Sequence, residues 1–324
     1  MDSLLVKACT LWGLEDCQIT LAAERENRVF KVIAKDGSFA LRIHRKGLRT
    51  DAELQSELSW MAELSRAGLS VPRPIASANG SLFHRVDDYQ IDVLTWLTGA
   101  PLGKTSEPLT HPDRPGVFRQ IGQTLAQLHR ISDAWSPPDG FVRASWNRQG
   151  LVGSDPLWGS FWENPELTAA ERQSLRAFRE TSHEDLERLE VKLDYGLIHA
   201  DAVRENIMVD GVSLHLIDFD DSGYGFRLFD VATALLKNMG EPDYPELKDA
   251  LLQGYQAFRP LNVTALDLFL ALRAVTYVGW NISRLEEPNG RVRNSRMIAQ
   301  AIALTEIYMS ARTGSSLHTL EVSR

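Results

Sequence analysis

The chain has 324 residues, 24% of them charged and 44% hydrophobic, with a net charge of −8 at neutral pH. That is ordinary globular composition, at a length that suits two lobes and buries a sizeable core. The acidic balance argues against a nucleic-acid binder held by phosphate contacts, and two cysteines, Cys9 and Cys17, with no CxxC pair or Cys/His cluster, argue against structural zinc.

The opening MDSLLVKACTLWGLEDCQ lacks a basic segment followed by an apolar run, so no signal peptide is expected. No apolar run approaches the roughly 18 residues of a membrane helix. The expectation is a soluble cytoplasmic protein, monomer or homodimer, with no nucleic acid or membrane partner.

QITLAA (18–23) and RVFKVIA (28–34) read as strands, and Asp36-Gly37 turns the chain into FALRIH (39–44). From Asp51 to Ala67, Leu54, Leu58, Met61 and Leu64 recur at spacings of four and three and predict a helix. Thr50 or Asp51 caps its start and Gly68 its end, and VPRPI (71–75) does not continue it. A second hairpin turn is read at Asn79-Gly80, before LFHRV (82–86), and Asp87-Asp88 leads into YQIDVLTWL (89–97). Five strands joined mostly by short turns suggest a meandering antiparallel sheet.

Beyond TGAPLG (98–103) the pattern turns helical. VFRQIGQTLAQLHR (117–130) carries Val117, Ile121, Leu125 and Leu128 on one face, and Thr168 with Glu171 has capping-box spacing ahead of a helix to 190. Further helices are expected over 229–239, 245–258, 264–285 and 293–311. The segment 133–166, with Trp135, Trp146, Trp158 and Trp162, reads either as a loop pinned by aromatic anchors or as a wall of a substrate pocket. The fold class is α+β, with an N-lobe over 1–98 (antiparallel sheet plus one helix) and a mostly helical C-lobe over 99–324.

The stretch LIHADAVRENIMVDGVSLHLIDFDDSG (197–223) carries the chemistry. Asp210-Gly211 turns IMV (207–209) back into SLHLI (213–217), so Asn206 and Asp218 finish at one end of a hairpin. Asp201 lies five residues before Asn206. Such a set of oxygen donors suits Mg²⁺, which takes one or two carboxylates plus substrate phosphates. Asp and Asn are also common turn residues, so each alone is weak. The joint H-x-D-x-x-x-x-N, strand-turn-strand, D-F pattern has the arrangement of the kinase catalytic loop and metal-binding aspartate.

With its continuation to YGFRLFDVATAL (224–235), that stretch resembles the aminoglycoside phosphotransferase and choline kinase family, a branch of the protein-kinase-like fold. ENRVFKV (26–32), FALRIHR (39–45) and QSELSWMAELSRAGLSVPRPI (55–75) fall in the family's order, and LLQGYQAFRPL (251–261) resembles its homoserine kinases; the hydroxylysine kinase-like branch is also near. The resemblance implies an ATP- and Mg²⁺-dependent phosphotransferase. In it Asp201 orients the acceptor hydroxyl and receives its proton, Asn206 and Asp218 hold Mg²⁺, His199 braces the loop and Asp230 accepts backbone hydrogen bonds from it. Asp220 and Asp221 read either as additions to the metal site or as solvated loop acids.

In the first lobe, Arg42 stands where protein kinases carry lysine, with Glu57 as its expected partner; a guanidinium grips phosphate bidentately. A backbone cradle for the phosphates falls near Glu26 and Asn27, and the adenine-binding hinge within VLTWLTG (93–99), at Leu97. The chain departs from protein kinases in lacking G-x-G-x-x-G, in reading Asp218-Phe219-Asp220, in placing Val203 two residues after the catalytic aspartate and in having no activation segment. These departures favour a small hydroxylated acceptor (homoserine, hydroxylysine, choline or an aminoglycoside), with an arginine such as Arg273 or Arg284 favouring an amino acid carboxylate. Two alternatives stay open: a stress-response serine/threonine protein kinase, whose first lobe shares the E-N-R-V phrase, and a non-catalytic nucleotide-binding module.

Overall fold

The structure, a computed structural model, describes residues 3–24 and 27–321, with side chains through Arg312. Its first half runs α1 (Ser3–Leu11), β1 (Gln18–Glu24), β2 (Arg28–Ala34), β3 (Gly37–Ile43), α2 (Asp51–Arg66), β4 (Phe83–Val86), β5 (Tyr89–Thr95), β6 (Ala100–Pro101), α3 (Arg114–Ala134), β7 (Ala144–Trp146) and α4 (Arg148–Val152). It continues with α5 (Ala169–Leu189), β8 (Tyr195–Ile198), β9 (Ile207–Asp210), β10 (Ser213–Leu216), β11 (Gly223–Phe226), α6 (Arg227–Leu236), α7 (Tyr244–Gln256), α8 (Leu266–Trp280) and α9 (Gly290–Glu321). The class is α+β. No helix among the described residues is long and apolar enough to cross a membrane.

The chain gathers into two compact units. Residues 1–107, 130–143 and 204–220 form the first, and residues 108–129, 144–203 and 221–324 the second.

In the first unit, five strands pair antiparallel in the order β1-β2-β3-β5-β4. This corrects the simple meander, because β5 is inserted between β3 and β4. β5 is buried over most of its length, whereas β4 is half exposed, so the more apolar strand takes the inner position. Asn79-Gly80 does form a turn, with Ser77 N donating to Ser81 O, but no strand precedes it; the upstream chain makes only an isolated bridge, Pro74 to Leu94. Proline cannot donate to a ladder, which accounts for the missing strand.

Helix α1 was not foreseen; it covers one sheet face, with Leu4, Leu5, Ala8 and Cys9 packed against Val32, Leu41, Ile43, Ile91 and Val93. Of the two caps read for helix α2, Thr50 is the one, and it forms a capping box: its side chain accepts from Glu53 N while Glu53 takes Thr50 N. The hairpin β9–β10 turns at Gly211-Val212, one residue later than read, since Asp210 pairs with Ser213 and Gly211 takes a φ of +60°.

The second unit is mostly helical. Thr168 and Glu171 form the expected capping box of α5. Helix α8 ends at Trp280 rather than 285, where Asn281 caps it and Ile282–Arg284 form a short 3₁₀ turn. Gly122 of α3 sits so close to α7 that a Cβ there would lie 2.0 Å from Leu251 O. A small sheet β7-β11-β8 delivers the chain into the loop that follows Ile198.

Candidate active site

Two strands, a helix and the turn at Asp220 of the first unit build a buried charge cluster. The β3–β5 register sets Arg42 opposite Asp92. The guanidinium grips that carboxylate with Nε at 2.9 Å and Nη2 at 3.0 Å, while Nη1 meets Glu57 at 3.0 Å and Asp220 at 3.5 Å. The expected Arg42–Glu57 pair is therefore present, within a larger set that sequence reading missed. Burial opposes the Arg42 charge, but Asp92, Glu57 and Asp220 outweigh it and hold the guanidinium firmly protonated. Burial likewise pushes the Asp92 carboxyl up, and Arg42 and His44 reverse this and hold it below its ordinary range. Burial and the nearby Glu57 carboxylate raise Asp220, against the pull of Arg42.

The Asp218-Phe219-Asp220 segment is fixed by this cluster. Asp218 adopts a left-handed φ of +65°, a conformation that a non-glycine residue keeps only when its surroundings impose it. Phe219 is buried edge-on against Trp60 of α2, ring centroids 5.4 Å apart. Arg143 donates to Phe219 O at 2.9 Å and Asp220 O at 2.8 Å, and reaches Glu57 at 3.3 Å and Glu53 O at 3.2 Å. It ties α2 to the backbone of that segment. Asp220 takes a hydrogen bond from Asn27 Nδ2 and the Arg42 ion pair, so it is a buried, paired acid and not a solvated one.

Asn206 and Asp218 flank the open end of β9–β10, where Ile217 N donates to Asn206 O at 3.0 Å. Among the described residues no group of three or more His, Cys, Asp or Glu side chains is placed to hold a metal ion. One carboxylate and one amide fit Mg²⁺ only as a partial shell that phosphate and water oxygens complete, which is its usual mode with nucleotides. Leu97 follows β5 and is half-buried, beside Trp96, whose ring carries Lys31 Nζ at 4.9 Å. Glu26 lies outside the described residues.

In the second unit, the loop carrying Asp201 is held from beneath. Fully buried Asp230 accepts His199 N at 2.9 Å and Ala200 N at 2.6 Å, and Ala200 is at a φ of +65°. His129 Nε2 meets the same carboxylate at 3.0 Å, and its Nδ1 meets the Tyr255 hydroxyl at 2.7 Å. Burial, reinforced by Arg227, drives His129 down to about 4. The imidazole is therefore neutral at pH 7, and it serves Asp230 as a hydrogen-bond donor rather than as a charge. Burial would raise Asp230, but the hydrogen bond from His129 and the loop donors hold it low. Asp201 N donates to His199 Nδ1 at 3.2 Å, which places the imidazole proton on Nε2 and gives His199 the bracing position expected of it. Asp201 is partly exposed, and its Oδ1 receives Arg273 Nη2 at 2.6 Å.

The tryptophan segment packs. Trp146 stacks on Phe229 at 5.1 Å and donates Nε1 to Asp221 O at 2.8 Å, and Trp158 meets Trp146, Tyr277 and Trp280. No local signal marks Asp92 or Arg143. Asp92 sits inside a strand otherwise read as apolar, and Arg143 finds its partners only through the fold.

A model of the phosphotransferase enzyme family, APH, matches residues 18–266. The chain belongs to that family. Homoserine kinase of Sinorhizobium fredii is 30% identical over 254 residues, spanning 75% of this chain and 72% of that protein. The solved structure of a microcompartment-associated aminopropanol kinase superposes with a TM-score of 0.82 at 27% identity, covering 95% of this chain and 98% of that one. An amicoumacin kinase solved with AMP-PNP, Ca²⁺ and Ami matches at a TM-score of 0.76 and 21% identity over 94% of each chain. As a family member the chain is a small-molecule phosphotransferase, a kinase of the protein-kinase-like fold.

Proposed function

We propose that the chain transfers the γ-phosphoryl group of ATP, with Mg²⁺, to the hydroxyl of a small amino alcohol or hydroxy amino acid. The observation that carries this reading is the Asp201 loop: a partly exposed carboxylate on a backbone locked by Asp230, with Ala200 held in a left-handed conformation. Such rigidity is what phosphoryl transfer asks of a protein, since its catalysis is mostly positioning and charge neutralisation. Homoserine and aminopropanol, named for relatives of this chain, support the acceptor class.

In this reading Asp201 accepts a hydrogen bond from the acceptor hydroxyl and aims its oxygen at the γ-phosphorus. The new O–P bond forms as the bond to the β,γ-bridging oxygen breaks, ADP leaves, and the hydroxyl proton passes to Asp201 and then to water. Asn206 and Asp218 hold Mg²⁺; charge neutralisation at the β- and γ-phosphates is what that ion supplies when bound. Arg42, kept charged and oriented by Glu57 and Asp92, faces the nucleotide phosphates. The backbone near Glu26 and Asn27 cradles those phosphates, and the backbone at Leu97 receives adenine.

The test is ADP release from Mg-ATP across hydroxy amino acids, amino alcohols, sugars and aminoglycosides. Release that requires an amino alcohol or hydroxy amino acid supports the reading. Release only with a protein acceptor, or none despite Mg-ATP binding, refutes it.

A further inference from the structure

We propose that Arg273 is a positioning residue for phosphoryl transfer, an aromatic-clamped cation whose task is to fix the Asp201 carboxylate. This rests on the role given to Asp201 above. Arg273 lies in the middle of α8 and is fully buried. Its Nη2 donates to Asp201 Oδ1 at 2.6 Å and to the Tyr277 hydroxyl at 2.9 Å. The other donors, Nε and Nη1, are buried without a hydrogen-bond partner. Leaving buried donors unmet is costly, and a native structure that tolerates it calls for a reason.

The surroundings supply part of that reason. The guanidinium lies 4.4 Å from the Trp158 ring centroid, 4.4 Å from Tyr277 and 5.1 Å from Phe229. Aromatic faces stabilise a desolvated cation, and a planar guanidinium stacks on them where a lysine ammonium does not. They also pin it, so that the one hydrogen-bonding edge left to it points at Asp201.

The contrast with two other buried arginines, Arg143 and Arg227, is informative. Arg143 spends its donors on backbone carbonyls and Glu57, and Arg227 donates to Leu197 O; both serve the scaffold. Arg273 makes its one ion pair with the carboxylate of the proposed catalytic loop. The clamp carries consequences for the reaction: with Oδ1 held by a charge-assisted bond, the plane of the carboxylate offered to an acceptor hydroxyl is set. A misplaced carboxylate loses rate rather than nucleotide affinity. The clamp also gives Trp158, in the segment 133–166, a task beyond surface packing.

The experiment is a double-mutant cycle in the full chain, read as kcat and KM with Mg-ATP and the acceptor found by the panel above. R273M is expected to lower kcat by about 100-fold while the KM for ATP changes less than threefold. In an Asp201→Asn background the same substitution is expected to cost less than threefold more, because the group it positions is already gone. A merely structural arginine would give losses that multiply. R273K retains charge without the planar fork; it is the variant to use if R273M does not fold, and an intermediate loss of about tenfold is expected. Wild-type kcat in R273M or R273K, or fully multiplicative losses, overturns the inference while leaving Asp201 in its role. Activity retained in Asp201→Asn overturns the role of Asp201 itself, so the two failures are distinct.

Discussion

Asp230→Asn removes one charge and almost no volume, and its cost follows from the donors that converge on it. Three N–H groups point at the carboxylate: His199 N, Ala200 N and His129 Nε2. An amide offers one oxygen and one NH₂, so at least one of these donors faces another donor in a fully buried site. A buried N–H left unmet costs about 1–3 kcal/mol, and the remaining bonds lose their charge assistance, about 1 kcal/mol each. The sum is roughly 3–5 kcal/mol, a large share of the ~5–15 kcal/mol that holds a typical domain folded. For a unit of this size that corresponds to a fall in Tm on the order of 10 °C. Releasing Ala200 from its left-handed conformation lets the loop relax and moves Asp201, and a displacement of about 1 Å costs on the order of 100-fold in rate. Thermal unfolding followed by tryptophan fluorescence, together with kcat for the acceptor, measures both. A Tm within 2 °C of wild type and kcat within twofold would refute the reasoning that Asp230 is the clamp.

Three further outcomes follow from the same geometry. His129 drops from its ordinary 6.5 to about 4 in the folded protein, so the unfolded chain takes up a proton first as the pH falls; stability is full above pH 6.5 and declines by about 3 kcal/mol on the way to pH 4. His129→Gln should flatten that part of the stability curve, and an unchanged decline would contradict the assignment, while the Asp230 contribution, a lowered carboxylate, is lost only below its ordinary 3.8. Arg42→Met leaves Asp92, Glu57 and Asp220 facing one another in a buried site, at about 3–5 kcal/mol; a lower Tm and a KM for ATP raised tenfold or more are expected, and an unchanged KM would remove Arg42 from the nucleotide. Gly122→Ala should destabilise by about 1–3 kcal/mol in urea or thermal unfolding, despite alanine's better helix propensity, because its Cβ meets Leu251 O.

The sequence made the hairpin of Asn206 and Asp218, a cap at Thr50 or Asp51, the capping box at Thr168 and the Arg42–Glu57 pair readable, because each depends on local spacing or on a familiar order of motifs. Sheet order was not readable, since whether β4 or β5 lies beside β3 is decided by competition for burial between strands, not within either. Asp92, Arg143 and the Asp201–Arg273 bond were equally hidden. Their partners lie 48 to 90 residues away along the chain, and no periodicity records such a meeting. Helix α1 was missed because its nine residues are short for a reading of pattern alone. What chemistry the site performs was carried by a compact phrase; how firmly that phrase is held was visible only in three dimensions.

The most direct measurement is a single turnover with γ-labelled ATP and an amino alcohol or hydroxy amino acid acceptor, following the label into product. The account predicts a phosphate ester on the acceptor hydroxyl, formed by wild type and reduced at least 100-fold in Asp201→Asn, whose affinity for Mg-ATP stays within threefold. Labelled ester formed at an undiminished rate by Asp201→Asn, or label recovered only as inorganic phosphate or on protein, would contradict it.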